Sequence, residues 1–428
     1  MNTLQKDYSS SIIDDYKSFY KTPTVSLELP HEIWPPNGND SELLDIGNQR
    51  NLDIRIAGKS GPIKVFEDSF LSFLENKVKY GITFNSGTSA LLASYFSLDL
   101  TEGDEVIGPV LTYHAALSPL FLLRLKPVLA DVQQTTRCID PLDIERKITE
   151  KTKAITVVHQ WGHPADLDAI IKLCEKYNLK LVEDCSHAHG SKYKGKLCGT
   201  FGDVAAFSLQ ANKMIYAGEG GILVTNNEDI HDKATLLGHY RDRSKNEIKN
   251  AELQKYWVTG FGQKLRMSPF NAIVAKYSLN NFEKNMSGRH ACLNYFNKKL
   301  SAFDFIEPHF VDDSVDMGAW YGFKPLYHSD KLNNIDKSIF IKLLQMEGLE
   351  ISDPSAPLLS TTPLYNNGLN PLFNIPQESN SYDGFINADY ISKSGLSLPT
   401  FYEPDIHIPL IDKYIEAIEK VSNFLKSY

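Results

Sequence analysis

Long hydrophobic runs are missing from this 428-residue sequence. None approaches the ~18 consecutive apolar residues that a bilayer-spanning helix needs. The opening residues, Met1 to Tyr8, lack a basic stretch followed by an apolar one, so no secretory leader is expected. Cysteine is scarce. Cys138, Cys174, Cys185, Cys198 and Cys292 are scattered, odd in number and without a C-x-x-C pair. That disfavours a disulfide framework and a thiolate zinc site, and a reducing cytoplasm fits best. Five small buried apolar residues are the plainer account of them. Positive charge is in deficit: 44 Lys and Arg stand against 53 Asp and Glu, for a net charge of −9 and a pI near 5.8. A nucleic-acid partner would want a basic face, and an anionic membrane is a poor match for the same reason. Internal repeats and low-complexity tracts are absent too, which sets aside solenoids and arrays.

What is present is ordinary for a globular protein: 42% hydrophobic, 23% charged and 11% aromatic. Its length suggests a large and a small domain. Residues 1–60 are rich in Pro, Asn, Asp and Ser, as in Pro35-Pro36-Asn37-Gly38-Asn39-Asp40, and read as an arm with a short helix. From Phe66 onward helix and strand patterns alternate. Expected strands are Gly81–Phe84, Glu105–Gly108, Pro127–Ala130, Ala154–Val158, Leu179–Val182 and Val204–Ser208. Expected helices include Ala90–Phe96, Ala115–Leu123 and Asp166–Tyr177. Such β-α-β units build a mostly parallel sheet covered by helices, an α/β fold. Past about Asn280 the texture changes. A long helix is expected from near Phe282. Strand-like pieces at 322–326 and 349–352 flank a helix at 335–345, and a last helix starts near Pro409. The expected division is therefore an arm, 1–60, a large domain, 61–280, and a smaller α+β domain, 281–428.

Ligands of open α/β sheets sit beyond the carboxyl ends of the strands. After Phe84 comes Asn85-Ser86-Gly87-Thr88-Ser89 and a helix. Small residues at a helix N-terminus suit a phosphate, although plain capping by Ser86 or Thr88 explains them as well. After Val182 comes Glu183-Asp184-Cys185-Ser186-His187-Ala188-His189-Gly190. Asp184 with His187 and His189 could hold a metal, pair with a cationic ring nitrogen, or form a satisfied hydrogen-bonding cluster. Without zinc-ligand spacing, no metal is expected. After Ser208 comes Lys213 and then Gly218-Glu219-Gly220-Gly221. A solvated surface lysine is the ordinary reading of Lys213. Taken together, a lysine, a carboxylate and a phosphate seat on successive strand ends are what pyridoxal 5′-phosphate (PLP) chemistry requires. Tyr113, beyond the second strand, could stack on a planar ring or sit in the core. His239, Tyr240, Arg241 and Arg243 form either a solvated basic loop or a contact for a substrate anion.

From about Gly61 to the C-terminus the sequence resembles the DegT/StrS family of PLP-dependent sugar and cyclitol aminotransferases. The resemblance rests on Ser86-Gly87-Thr88-Ser89-Ala90-Leu91, Gly103-Asp104-Glu105-Val106-Ile107, Glu183 through Gly190, Phe207 through Lys213, Gly218-Glu219-Gly220-Gly221 and Ser397-Leu398-Pro399. It implies a fold-type-I, aspartate-aminotransferase-like architecture. Lys213 would be the Schiff-base lysine and proton shuttle. Asp184 would pair with the pyridinium nitrogen, His187 would lie near the ring 3-hydroxyl, and Tyr113 would stack on the ring. Gly87, Thr88 and Ser208 would contact the phosphate. Family members are homodimers with shared sites, and an Asn in a Gly-x-Asn-x-Arg-Met motif reaches the neighbouring subunit's phosphate. Here Gly262-Gln263-Lys264-Leu265-Arg266-Met267 puts Lys264 in that place. The implied reaction is ping-pong transfer of an amino group from L-glutamate or L-glutamine to a keto-sugar or keto-cyclitol. Alternatives are a nucleotide-linked 3- or 4-keto-6-deoxysugar as acceptor, another PLP reaction such as dehydration, and a PLP-binding regulator without turnover. Family dehydratases carry His where Lys213 stands.

Overall fold

The computed structural model describes residues 2–26, 61–318, 320–354, 357–366, 369–370, 375–376 and 384–427. Most of the expected arm, and part of the stretch 352–374, lie outside them.

Seven strands form the main sheet. They are β1 (Tyr80–Phe84), β2 (Glu105–Pro109), β3 (Lys126–Ala130), β4 (Thr152–Val158), β5 (Lys180–Asp184), β6 (Val204–Ser208) and β7 (Gly221–Thr225). Their order is β1-β7-β6-β5-β4-β2-β3. The β3-β2-β4-β5-β6 neighbours pair in parallel, while β7 runs antiparallel to both β1 and β6. Strand β7, Gly-Ile-Leu-Val-Thr, was not among the expected strands. It is buried throughout and has no polar alternation to mark it.

The crossover helices follow from their side-chain spacing. In the helix α2 (Gly61–Phe73), Ile63, Phe66 and Phe70 share the inward face. The helix α3 (Gly87–Phe96) connects β1 to β2. In the helix α4 (Leu167–Tyr177), Asp166 caps the N-terminus by accepting the Ala169 N–H at 3.3 Å. Asn178 ends it in the left-handed region, with φ 53°, which Asn tolerates better than most residues. Between these ends Leu167, Ile170, Leu173 and Cys174 are buried, each large aliphatic contributing roughly 1.5–3 kcal/mol. The helix expected at 115–123 is instead two short turns, His114–Ala116 and Pro119–Leu122. Pro119 has no N–H to continue a helix and restarts one at its first turn.

The helix α5 (Glu228–Gly238) follows β7. The long helix α6 (Pro269–Leu300) begins well before Phe282, with Pro269 in its first turn, so the expected 280/281 boundary falls inside a continuous helix. Beyond it come α7 (Lys337–Met346), α8 (Ile386–Ser394) and α9 (Pro404–Leu425). The strand-like pieces at 322–326 and 349–352 contribute mainly isolated bridges, Phe323↔Leu398, Leu326↔Gly395 and Ser352↔Ser397. The N-terminal helix, α1 (Asn2–Phe19), is longer than expected and packs on the C-terminal elements. Its Ile12 and Tyr16 share a core with Phe296, Phe323, Phe340 and Ile411. The Tyr16 hydroxyl donates to Glu347 Oε1 at 2.5 Å, and the Thr24 N–H donates to Oε2 at 2.8 Å.

Candidate active site

The carboxyl ends of β1, β5 and β6 open on a cleft of about 620 Å3. Ser86, after β1, is extended at φ −160°, and its hydroxyl accepts the Ser89 N–H at 3.0 Å. Ser86 therefore caps α3, as its residue type suggests. That cap leaves the N–H groups of Gly87 and Thr88 with no acceptor among the described residues, at the positive end of the helix. Capping and an anion seat thus coexist. Two glycines bring the loop close to the strand ends. A Cβ on Gly87 would lie 2.7 Å from Ser208 Cβ, and one on Gly221 would lie 2.4 Å from the Ser86 carbonyl oxygen.

Asp184 ends β5 and is buried, with one carboxylate oxygen accepting the Ser186 N–H at 3.0 Å. Burial raises its pKa, against opposing pulls from Ser186 and the Lys213 charge. Lys213 stands on the turn after β6, its N–H bonded to the Gln210 carbonyl at 2.9 Å. Its amine lies 3.8 Å from the centroid of the Tyr321 ring. Burial pushes that amine down to about 8, although the Asp184 charge pulls it upward. His187 stacks on the same Tyr321 ring, with centroids 4.0 Å apart and planes at 12°. Its Nδ1 accepts the Trp161 N–H at 3.4 Å. Burial first, then the Lys213 charge, hold its pKa well below the usual histidine value, so the ring is neutral. With Nδ1 accepting, the proton is assigned to Nε2.

The structure therefore brings Lys213, Asp184, His187, Tyr113, Gly87, Thr88 and Ser208 to one cleft wall. Tyr113 is 62% exposed, at the mouth and not in the core. Lys264 is exposed and lies outside this cleft. The Asp184–His187–His189 set weighed for a metal is split. His189 is buried, and its Nδ1 accepts the Ile215 N–H at 3.1 Å, bracing the chain just after Lys213. Among the described residues, the groups close enough to share an ion are instead His159, Glu183 and Cys185. Glu183 is already occupied: it accepts N–H groups from Gly199, Phe201 and Gly202 at 2.8, 2.8 and 2.7 Å and lies 3.2 Å from His159 Nε2.

In the segment after α5, burial corrects the reading at Arg243 and His239, while Arg241 is exposed. Arg243 is neither solvated nor free for a substrate: its guanidinium grips Glu67 at 2.8 and 3.0 Å in the interior. His239 is buried, bonded through Nε2 to the Thr83 carbonyl at 2.7 Å. Cleft residues not singled out from the sequence include Gln160, Trp161, Tyr321 and Lys324. Gln160 and Trp161 follow β4, so the strand-end rule applied there finds them. Trp161 holds φ 55°, uncommon for a bulky side chain and a mark of a constrained site. Tyr321 and Lys324 come from the C-terminal part, with no local motif to flag them.

The donor set suits PLP. The open N–H groups at Gly87 and Thr88 and the hydroxyls of Thr88 and Ser208 match a phosphate. A buried carboxylate matches a ring nitrogen, and a desolvated lysine matches an aldehyde carbon.

Comparison with known proteins agrees. The family model described as the DegT/DnrJ/EryC1/StrS aminotransferase family matches residues 55–405. A GDP-perosamine synthase from Escherichia coli O157:H7 is 32% identical over 347 residues, 81% of this chain and 86% of that protein. An L-glutamine:scyllo-inosose aminotransferase from Streptomyces griseus is 35% identical over 277 residues, 63% of this chain and 64% of that protein. An aminotransferase structure from Psychrobacter cryohalolentis superposes with a TM-score of 0.80 at 24% identity, covering 92% of this chain and 98% of that one. The structure of E. coli GDP-4-keto-6-deoxy-D-mannose-3-dehydratase, which holds hydrated PLP, has a TM-score of 0.74 at 21% identity over 93% and 99% of the chains. The chain belongs to the DegT/DnrJ/EryC1/StrS aminotransferase family and is a PLP-dependent aminotransferase of fold type I.

Proposed function

We propose that this enzyme moves an amino group from L-glutamate or L-glutamine to a keto-sugar or keto-cyclitol. The observation that carries the reading is the meeting of Lys213, Asp184 and the Gly87–Thr88 helix end on one cleft. Bound PLP supplies an electron sink for the donor's Cα. Lys213 would hold the cofactor, and its free amine would take and return the Cα proton. A pKa pushed down to about 8 keeps part of that amine unprotonated near neutral pH, as a general base needs. Asp184, as carboxylate, would hold the ring nitrogen protonated. His187 would donate from Nε2 to the ring's 3-oxygen, and Tyr113 would cover a ring face. Gly87, Thr88 and Ser208 would hold the phosphate.

Lys264, outside the cleft of its own chain, is proposed to reach the phosphate in the partner subunit of a homodimer. Residues 61–280 are proposed as the cofactor domain and 281–428 as the smaller one, with the arm at 1–60. A nucleotide-linked keto-6-deoxysugar is the second acceptor class. It is favoured by the broad match to a GDP-perosamine synthase, whereas the inosose aminotransferase match favours a cyclitol.

The test is a visible absorption spectrum of the purified protein with PLP, alongside Lys213→Ala, before and after each donor. The wild type should show a cofactor absorbance that the variant lacks, and one donor should bleach it. A wild-type spectrum in Lys213→Ala would overturn the assignment of Lys213. An absorbance that neither donor changes would favour a PLP-binding regulator.

A further inference from the structure

A second lysine lines the same cleft. Lys324 lies between the Phe323↔Leu398 bridge and the Leu326–Tyr327 strand. Its backbone is fixed on both sides. The N–H donates to His309 Nε2 at 2.7 Å, and the carbonyl accepts from Arg137 Nη1 at 2.6 Å. Arg137 and His309 are both buried, so this clamp sits in the interior and fixes where the side chain starts. The amine donates to the Ser397 hydroxyl. An ammonium has three donors, so among the described residues two are left for something else. No carboxylate among the described residues forms an ion pair with it. The carboxylates on the cleft wall are Asp184 and Glu219, and neither is its partner.

A half-buried ammonium without a counter-charge is unfavourable unless a ligand supplies the anion. Burial lowers the Lys324 pKa, and among the described residues no neighbouring carboxylate opposes it. The other anion seat on this wall, the Gly87–Thr88 helix end, is taken by the cofactor's phosphate in the reading above, and Lys213 is taken by its aldehyde. Both proposed amino donors, L-glutamate and L-glutamine, bring an α-carboxylate. We propose that Lys324 binds the α-carboxylate of the amino donor, an inference that rests on the aminotransferase reading. Ser397 holds the amine in place, and the Arg137–His309 clamp positions the backbone beneath it. Tyr321, three residues earlier, has the Lys213 amine 3.8 Å from its ring centroid, so the same C-terminal segment lines the cleft with Lys324 and meets Lys213 there.

The test compares wild type, Lys324→Met and Lys324→Arg, all loaded with PLP. Glutarate, which carries carboxylates and no amine, is titrated by calorimetry. Donor saturation is followed with L-glutamate and L-glutamine in single turnover. Removing a charge-assisted contact should weaken glutarate binding and donor saturation about 10- to 100-fold in Lys324→Met. The rate at saturating donor should stay near wild type, and Lys324→Arg should recover much of the loss. Thermal unfolding and the cofactor spectrum of Lys324→Met should match wild type, which separates lost binding from lost fold. Unchanged glutarate and donor affinity in Lys324→Met overturns the proposal. So does a variant that loses affinity for uridine diphosphate but not for glutarate, since the lysine would then serve an acceptor's phosphate. If wild type fails to transaminate, the enzyme reading fails, yet the glutarate titration still decides whether Lys324 is a carboxylate seat.

Discussion

The protonation of Lys213 offers a direct check on the site. Its pKa is pushed from the ordinary 10.5 down to about 8, by burial first and against the pull of Asp184. That difference corresponds to roughly 3 kcal/mol of net penalty on the charged amine. At pH 7 an amine with a pKa of ~8 is about 9% unprotonated, against ~0.03% for an ordinary lysine, so Lys213 has roughly 300-fold more free amine. In PLP-free protein, a limiting amount of an amine-acylating reagent should therefore find Lys213 early. The assay is labelling from pH 6 to 11 with peptide mass spectrometry, using the protein's exposed lysines as internal references. Lys213 labelling, corrected for its accessibility, should rise through an inflection near 8, well below the ordinary lysine value. Asp184→Asn removes the upward pull, so the inflection should move lower. A Lys213 profile that tracks the exposed lysines, or an upward move in Asp184→Asn, would refute the reasoning that desolvation sets this amine's chemistry.

Other expectations concern the scaffold. Gly87→Ala puts a methyl group 2.7 Å from Ser208 Cβ, so α3 must shift off β6. PLP titration of the PLP-free variant should show weaker binding, and thermal unfolding a loss of about 1–3 kcal/mol, partly offset by alanine's helix propensity. Glu67→Ala leaves the buried Arg243 guanidinium with Glu247 as its remaining carboxylate and removes the acceptor of the Thr83 N–H and hydroxyl, so it should cost about 3 kcal/mol in denaturant unfolding, whereas an exposed pair such as Lys413–Glu416 should be worth less than ~1 kcal/mol. Glu183 titrates below the usual carboxylate range: burial raises it, but His159 and the N–H groups of Gly202 and Gly199 together outweigh that. The sign follows from linkage. Its contribution is full above the unfolded value near ~4.3 and is lost as pH falls through the lower folded value. Acid unfolding of Glu183→Gln should accordingly depend less steeply on pH below ~4.3 than wild type; an unchanged slope would mean Glu183 adds nothing to acid stability.

Much of the site was legible because each piece follows a strand. A run such as Val204–Ser208 fixes a strand from five residues, and its end fixes where Lys213 must emerge. Asp184 and Ser86 are placed by the same local logic. Strand β7 was not legible: an all-buried run lacks period-two alternation, and only the neighbours β1 and β6 give it a direction. Arg243 was misread because local pattern cannot tell a basic loop from a charge folded inward. Its partner Glu67 lies 176 residues away.

The sequence by itself determined the alternation that makes an α/β sheet, the order of strand ends, and the residue types that PLP chemistry needs. Those are local properties, set by spacing of a few residues and by helix and strand periods. Only the tertiary structure decided which of those residues share a wall, which histidine turns inward to brace the chain, and how far Lys213 is desolvated. It alone brought Tyr321 and Lys324 from the C-terminal part against the strand ends. Burial and long-range contact arise from packing, and pKa follows burial, so none of these could be read from neighbours in sequence.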